Sequence, residues 1–421
     1  MGKETTNRAG RQIDDYLIAS ILLFYALAFV NDSPMQIVRG FWQILISRSV
    51  LITDYFAVGG MGAAFFNGAL IMTITFVIVK LLRMQSGGLT IAIVYIMGGF
   101  ALFGKNPVNI LPILVGTILY AKIFGRKVKD VIYTGFLATT LAPLVTEIAL
   151  ILPYPLWVNL CLAFAGGLLI GFTAPLVYTY VSTLNRGYNI FNMGFAAGVL
   201  AVAAVSVLRS VGHVIETTLI WTEGYPLWLF FAFLGWSALT FLYGLVLSKG
   251  RIGNLRKIWK HTGRLPSDFV SMEGTGTVFM NMGMMGALCL GYLYLMKGDL
   301  SGPVLGALMT VVGFAAYGIH MKNYLPILIG IFLATEVKLF TPQTPAMQLA
   351  ALFSAGLAPI AGEFGLLAGI LAGFLHSSVA MSIGIIHGGM NLYSNGFAAG
   401  FIVIVLVPVL EAFRNLKKKK T

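Results

Sequence analysis

Two glutamates lie inside apolar runs, where a carboxylate is costly and normally faces a cavity or a partner. Glu147 closes Leu141-Ala142-Pro143-Leu144-Val145-Thr146-Glu147, and Glu363 closes Leu357-Ala358-Pro359-Ile360-Ala361-Gly362-Glu363. Such a pair suits coordination of a cation or a proton. The same residues equally suit hairpin tips near lipid headgroups, or carboxylates accepting from a basic neighbour. A second pair, Asn67 and Asn281, follows glycines and a phenylalanine in both places. An amide offers two donors and an acceptor, so it fits either a small polar solute or a bond between helices. Glu273 stands beside Asn281, but Gly59 occupies its place near Asn67. A third pair, Asn189 and Asn391, opens two matching stretches, Gly187–Gly198 and Gly389–Gly400. Both end in Gly-Phe-Ala-Ala-Gly. The amides are candidates for solute binding, and the small-residue tail predicts close helix packing. His376 and His387 are eleven apart, about 16 Å along one helix. That is too far for one metal, and it leaves a proton relay or ordinary packing.

These pairs exist because the chain is duplicated. Thr53–Gly116 aligns without a gap on Ser267–Gly330 at an offset of 214. The offset is 216 at the two glutamates and 202 at the twin stretches, so the first repeat carries extra residues after Glu147. The reading divides the chain into an N-terminal tail, first helix and interfacial segment (1–53), a first repeat (54–210), a linking helix and basic loop (211–265), and a second repeat with a basic tail (266–421). Asp54 and Asp268 read as helix N-caps at the start of each repeat, as do Asn109 and Asn323 before Leu-Pro-Ile-Leu.

Composition sets the class. Of 421 residues, 58% are hydrophobic and 10% charged, against about 25% charged in a soluble domain. Apolar runs long enough to cross a bilayer recur along the chain. The reading is an all-α polytopic membrane protein of about 12–14 helical segments. Several segments are too short to span alone, and prolines at Pro112, Pro326, Pro143 and Pro359 predict broken or re-entrant helices. Tyr16–Val30 reads as an uncleaved first helix. Cys161 and Cys289 lie in apolar runs and form no framework.

The net charge of +13 concentrates in the loop around Lys249–Arg264, the tail at Lys417–Lys420 and the N-terminus. Basic segments stay cytoplasmic, which puts both termini inside. Repeat one then runs outside to outside and repeat two inside to inside, an inverted-topology duplication. That pattern belongs to transporters and channels with a site between the repeats. No basic folded domain suggests nucleic acid, no enzyme or phosphate-loop motif appears, and no cofactor or metal spacing is present. The expected partners are a small solute, the lipid bilayer and, through the glycine-rich faces, a second copy of the chain.

The twin Gly-x-Asn…Gly-Phe-Ala-Ala-Gly and Leu-Ala-Pro-x-x-x-Glu motifs resemble a family of bacterial multi-pass membrane proteins that carry a domain of unknown function twice. The likeness covers both repeats and implies a bacterial plasma membrane, but no activity. Phe65–Leu70 is more faintly similar to a short element of urea channels, whose Leu-Pro-x-Pro-Phe signature is missing; no site residue is carried over. The expected function is transport of a small solute between the repeats, coupled to an ion or proton. The alternatives are a passive channel for a neutral solute, a membrane-embedded enzyme built on His376, His387 or Glu363, and a scaffold without a cavity.

Overall fold

Each repeat is entered through one capped helical turn. Asp54 accepts from the amide of Phe56 at 2.9 Å, and Asp268 from those of Val270 and Ser271 at 2.9 and 3.2 Å. Gly60 and Gly274 follow at φ of 88° and 80°, a backbone region that favours glycine. The chain then turns into a long apolar helix.

The computed structural model describes residues 3–420. It is helical throughout its core, with one isolated bridge between Thr53 and Ile220. The first half consists of α1 (Lys3–Asn31), α2 (Pro34–Ile46), α3 (Tyr55–Gly59), α4 (Met61–Leu81), α5 (Gly88–Phe100), α6 (Pro107–Ile123), α7 (Val128–Ala138), α8 (Ala142–Ile151), α9 (Leu156–Asn185) and α10 (Asn192–Ser210). The second half repeats the order as α11 (Leu227–Leu247), α12 (Leu255–Ile258), α13 (Phe269–Glu273), α14 (Thr275–Leu295), α15 (Gly302–Phe314), α16 (Met321–Val337), α17 (Pro345–Phe353), α18 (Ala358–Phe364), α19 (Leu366–Ile386) and α20 (Ser394–Lys420). Among the described residues, ten helical stretches are long and apolar enough to cross a membrane. The protein is a polytopic membrane protein.

The helices preceding each repeat belong to it. α1 lies along α4 as α11 lies along α14. A side chain on Gly68 would strike Phe24, and one on Gly286 would strike Ser237. The packing units therefore start before residues 54 and 266, where the sequence match alone begins.

The breaks fall elsewhere than the prolines suggested. α6 and α16 run through Pro112 and Pro326 without interruption. These prolines face close-packed glycines: a Cβ on Gly167 would come 2.5 Å from Pro112, and one on Gly369 would come 2.7 Å from Pro326. The chain breaks instead after the 13-residue helices α5 and α15. At 1.5 Å per residue these reach about 20 Å, short of a hydrocarbon core of about 30 Å. It breaks again at 3-10 turns over Thr139–Leu141 and Ser354–Leu357. There Pro143 and Pro359 do start new helices, α8 and α18, in the first turn where a missing amide costs nothing.

The two halves meet through reciprocal contacts, as a twofold relation requires. α5 crosses α15 at Gly99 against Gly306 and at Ala92 against Gly313. Offset by 214, Ala92 corresponds to Gly306 and Gly99 to Gly313. α10 crosses α20 with Gly194 facing Gly396, Gly198 against the Phe397 ring and Gly400 against the Phe195 ring. The twin stretches are thus the central crossing of the molecule.

Candidate functional site

The repeat interface holds an open cavity of about 510 Å³. Tyr133, Tyr178, Tyr317 and Phe314 form much of its wall, and Asn189 and Asn192 contribute its polar floor. Residues of both halves line it, since Leu265, Pro266, Phe314 and Tyr317 come from the second. Arg186 stands at its rim, paired with Glu411 at 2.9 Å.

The twin stretches lie beneath this floor. Asn189 donates to the carbonyl of Gly396 at 3.0 Å, and Asn391 donates to that of Gly194 at 3.0 Å. Each amide oxygen also accepts from the backbone two residues on, at Phe191 and Tyr393. The two expected solute ligands are therefore brought together, and each ties one repeat to the other. Only Asn189 reaches the cavity. Phe191 and Tyr393 pack at 4.9 Å between ring centroids and join Phe100, Phe314 and Phe353 in an aromatic plug across the centre.

The surface equivalent to the cavity on the other half is partly covered, although Gly384, the counterpart of Ser182, faces open space. Gly388 corresponds to Arg186 at the offset of 202, and it faces Val205 and Ile215. Ile215 belongs to the strand-like connection after α10, which lies over the chain at 50–54. Ile52 donates to Thr218 and accepts from Ile220, and Asp54 donates to Ile220, all within 3.0 Å. Trp221 and Gly224 anchor the same connection to Asp299 of the second repeat at 2.8 Å. Among the described residues, α20 continues as a helix to Lys420 where its counterpart α10 stops at Ser210.

Asn67 and Asn281 are spent on the fold. Both donors of Asn67 go to the carbonyls of Ala101 and Lys105 at 2.7 Å, and those of Asn281 to Ala315 and Ile319 at 2.8 Å. The Ala101 and Ala315 carbonyls are orphans at the ends of α5 and α15, and those of Lys105 and Ile319 lie in the breaks just before α6 and α16. Both asparagines are fully buried and neither lines the cavity, and the side-chain oxygen of each has no hydrogen-bond partner among the described residues. Asn109 and Asn323 are not the caps of α6 and α16. Asn106 and His320 hold those positions, and Asn109 and Asn323 accept from their backbone amides at 2.9 Å as the reciprocal partners.

The two glutamates are not brought together. Glu147 is fully buried and takes a two-pronged contact from Arg48, with Nε at 3.1 Å. Glu363 accepts from Arg414 at 2.7 Å, with the guanidinium over the Phe364 ring. Each carboxylate is occupied by an arginine, so neither presents a free ligand to a cation. The arginines come from unrelated places, one before α3 and one near the end of α20. Glu273 pairs with His261 at 2.8 Å, away from the cavity. His376 and His387 are buried and reach adjacent residues of α20, Asn395 at 3.2 Å and Ser394 at 2.9 Å. They pack α19 onto α20 and do not face the cavity.

One central residue escaped the sequence reading. Lys105 is fully buried in the break between α5 and α6. Its amine lies 3.2 Å from the Met97 sulfur, 3.5 Å from the Phe136 carbonyl and 5.1 Å from the centre of the Phe100 ring. A lysine within Phe103-Gly104-Lys105-Asn106-Pro107, between two apolar segments, was the signal available.

The family described as Protein of unknown function (DUF1576) matches residues 33–210 and 247–412. The chain belongs to this family. One match falls in each half, so the domain is duplicated here; each begins ahead of the helical turn that starts the repeat and after the preceding helix, α1 or, apart from its last residue Leu247, α11. No curated protein and no solved structure matches the chain. The likeness to urea channels rests on Phe65–Leu70 alone.

Proposed function

We propose that this member of the DUF1576 family transports a small solute through the interface of two inverted repeats. The observation that carries the reading is the one-sided cavity. It enters between the halves and reaches the central crossing at Asn189, whereas the strap at 211–223 covers its counterpart near Gly388 and leaves beside it a smaller pocket of about 310 Å³ lined by Arg48, Glu147 and the strap itself. Two halves of the same construction, one face open and one covered, are what alternating access requires of a protein caught in one of its states. The aromatic plug below Asn189 supports alternation over a permanently open channel.

The inverted arrangement draws support from the crossing helices. α10 and α20 touch near their N-terminal ends, at Gly194 against Gly396, with the contacts of each helix repeated reciprocally on the other. On this reading the cavity opens to the cytoplasm, because Arg186 lines it, Arg264 donates to the Arg186 carbonyl, and the basic turn at Arg126–Lys129 directly precedes Asp130 of its wall. Both termini then lie on that side. The arginine–glutamate pairs act as latches at opposite faces, Arg48–Glu147 outside and Arg414–Glu363 inside.

Cysteine accessibility tests the reading. With Cys161 and Cys289 replaced, Thr134→Cys places a thiol in the cavity and Ala350→Cys places one at the equivalent buried position, offset by 216. A membrane-impermeant maleimide should label Thr134→Cys rapidly from the cytoplasmic face. It should label Ala350→Cys slowly, and only from the opposite face, as the second state is visited. Labelling of both from one face, or no labelling of Ala350→Cys from either, overturns alternating access.

A further inference from the structure

Lys105 does no work that the fold needs. At the offset of 214 its counterpart is Ile319, and the second repeat makes the same break with the same asparagine cap. Asn281 holds the carbonyls of Ala315 and Ile319 just as Asn67 holds those of Ala101 and Lys105. The neighbours differ in the same sense: Val311 and Ala355 replace Met97 and Thr139. One repeat therefore carries a polar pocket where the other is apolar.

The amine has no counter-ion. None of the five ion pairs among the described residues includes it. What surrounds it are weak acceptors: a thioether, one carbonyl at 3.5 Å and a ring face. Met97 and Phe136 belong to the last turns of α5 and α7, and a helix C-terminus carries partial negative charge. These are weaker partners for an ammonium group than a carboxylate would be, so an anion nearby would supply a counter-charge that the fold does not. An uncompensated charge at membrane depth is a functional feature by default.

Its position relates it to the cavity. Leu137, next to the Phe136 whose carbonyl faces the amine, lines the wall. Phe100, whose ring lies beside the amine, packs on Phe353 and Tyr393 of the aromatic plug. Lys105 itself does not line the cavity; the charged residues that do, Asp130 and the paired Arg186, stand at its exposed rim.

We infer that Lys105 is the counter-charge for the transported solute, and that the solute is a small anion, for which carboxylates serve as the probes. The inference rests on the transport reading above. A unit charge about 10 Å from the amine, at an effective dielectric constant of about 20, is favoured or disfavoured roughly tenfold or more according to its sign. The centre therefore selects against cations and is indifferent to neutral solutes.

The experiment is a melting-temperature screen of the purified full chain at constant ionic strength, using matched pairs of probes. Acetate is set against acetamide, succinate against succinamide, and methylammonium serves as the cation. A ligand that binds the native state raises its melting temperature. A rise of about 2–5 °C is expected for a carboxylate at saturation and none for its amide. Lys105→Met should keep the ligand-free melting temperature, because an apolar side chain in place of a buried charge is commonly neutral or stabilising, and it should lose the carboxylate response. Lys105→Gln serves the same purpose if the methionine variant does not fold. An equal response to an amide or to methylammonium, or a carboxylate response that survives in a folded Lys105 variant, overturns the anion assignment and leaves the pathway standing. No response to any probe in the wild-type protein also overturns it, and the cysteine labelling then decides the pathway independently.

Discussion

The two repeats agree residue by residue in some places and part company in others, and the division is informative. Caps and crossings agree: Asp54 with Asp268, Asn67 with Asn281, Asn189 with Asn391, each with equivalent partners and nearly equal distances. These satisfy backbone groups at helix ends, a cost that any broken helix in a membrane must meet. Lys105 against Ile319, the strap after α10 against the helical end of α20, and Arg48 against Arg414 do not agree. None of these is needed to build a repeat. The matched residues make the scaffold, and the mismatched ones are where the two halves can do different things.

The glutamate pairs give the largest test of that division, because the glutamates match and their arginines do not. Glu147 is fully enclosed, whereas the side chain of Glu363 is 23% exposed. Removing the partner of a buried carboxylate is strongly destabilising, while loss of an exposed pair costs little. Arg48→Met should lower stability by on the order of 3 kcal/mol, and Arg414→Met should lower it by a small fraction of that. Combining Arg48→Met with Glu147→Gln should recover most of the loss, since the stranded charge goes with it. Thermal unfolding in detergent measures all three. Equal losses for the two arginine variants would show that the pairs are equivalent after all.

The asparagine pairs should behave in the opposite way. Asn67→Ala and Asn281→Ala each orphan two buried carbonyls at a helix break, a cost of about 1–3 kcal/mol per group left unsatisfied. The two losses should agree within error, since the geometries do. A variant that kept its stability while losing a carboxylate response would return that asparagine to the solute path.

The sequence made the scaffold legible and most of the mismatches invisible, for a physical reason. Duplicated helices leave a register: α4 with α14, α5 with α15 and α6 with α16 begin 214 residues apart, as the matched glycines and asparagines required. The short helices were read from length alone. Pro112 and Pro326 misled because a proline well inside an apolar helix looks like a break, whereas here the ring fills a gap opposite a glycine. The pairing of Glu147 with Arg48 joins residues 99 apart, and no local pattern encodes it. Lys105 went unmarked because attention to duplicated residues passes over a residue whose counterpart is apolar. In a duplicated chain, the place to look for the working group is where a charged residue faces an apolar twin.

Thr140 offers the finest version of that comparison. Its counterpart at the offset of 216 is Gly356, and both backbone carbonyls accept from the opposite repeat, Leu392 to Thr140 and Ile190 to Gly356. Thr140 adds a hydroxyl that donates to Asn391 at 3.1 Å and accepts from the amide of Tyr393 at 2.8 Å. The Tyr393 amide already has a partner in Asn391 at 3.0 Å, so losing the hydroxyl orphans nothing. Thr140→Ala should therefore cost only about 0.5–1 kcal/mol. It also makes the first repeat resemble the second at the crossing, and a hydroxyl that serves only packing should leave the carboxylate response of the wild-type protein unchanged. A weakened response at nearly full stability would place Thr140 with Lys105 in the polar pocket of the first repeat. That outcome would move the functional asymmetry from one residue to a cluster, since Thr139, the adjacent hydroxyl, already bonds the Phe136 carbonyl that faces the amine.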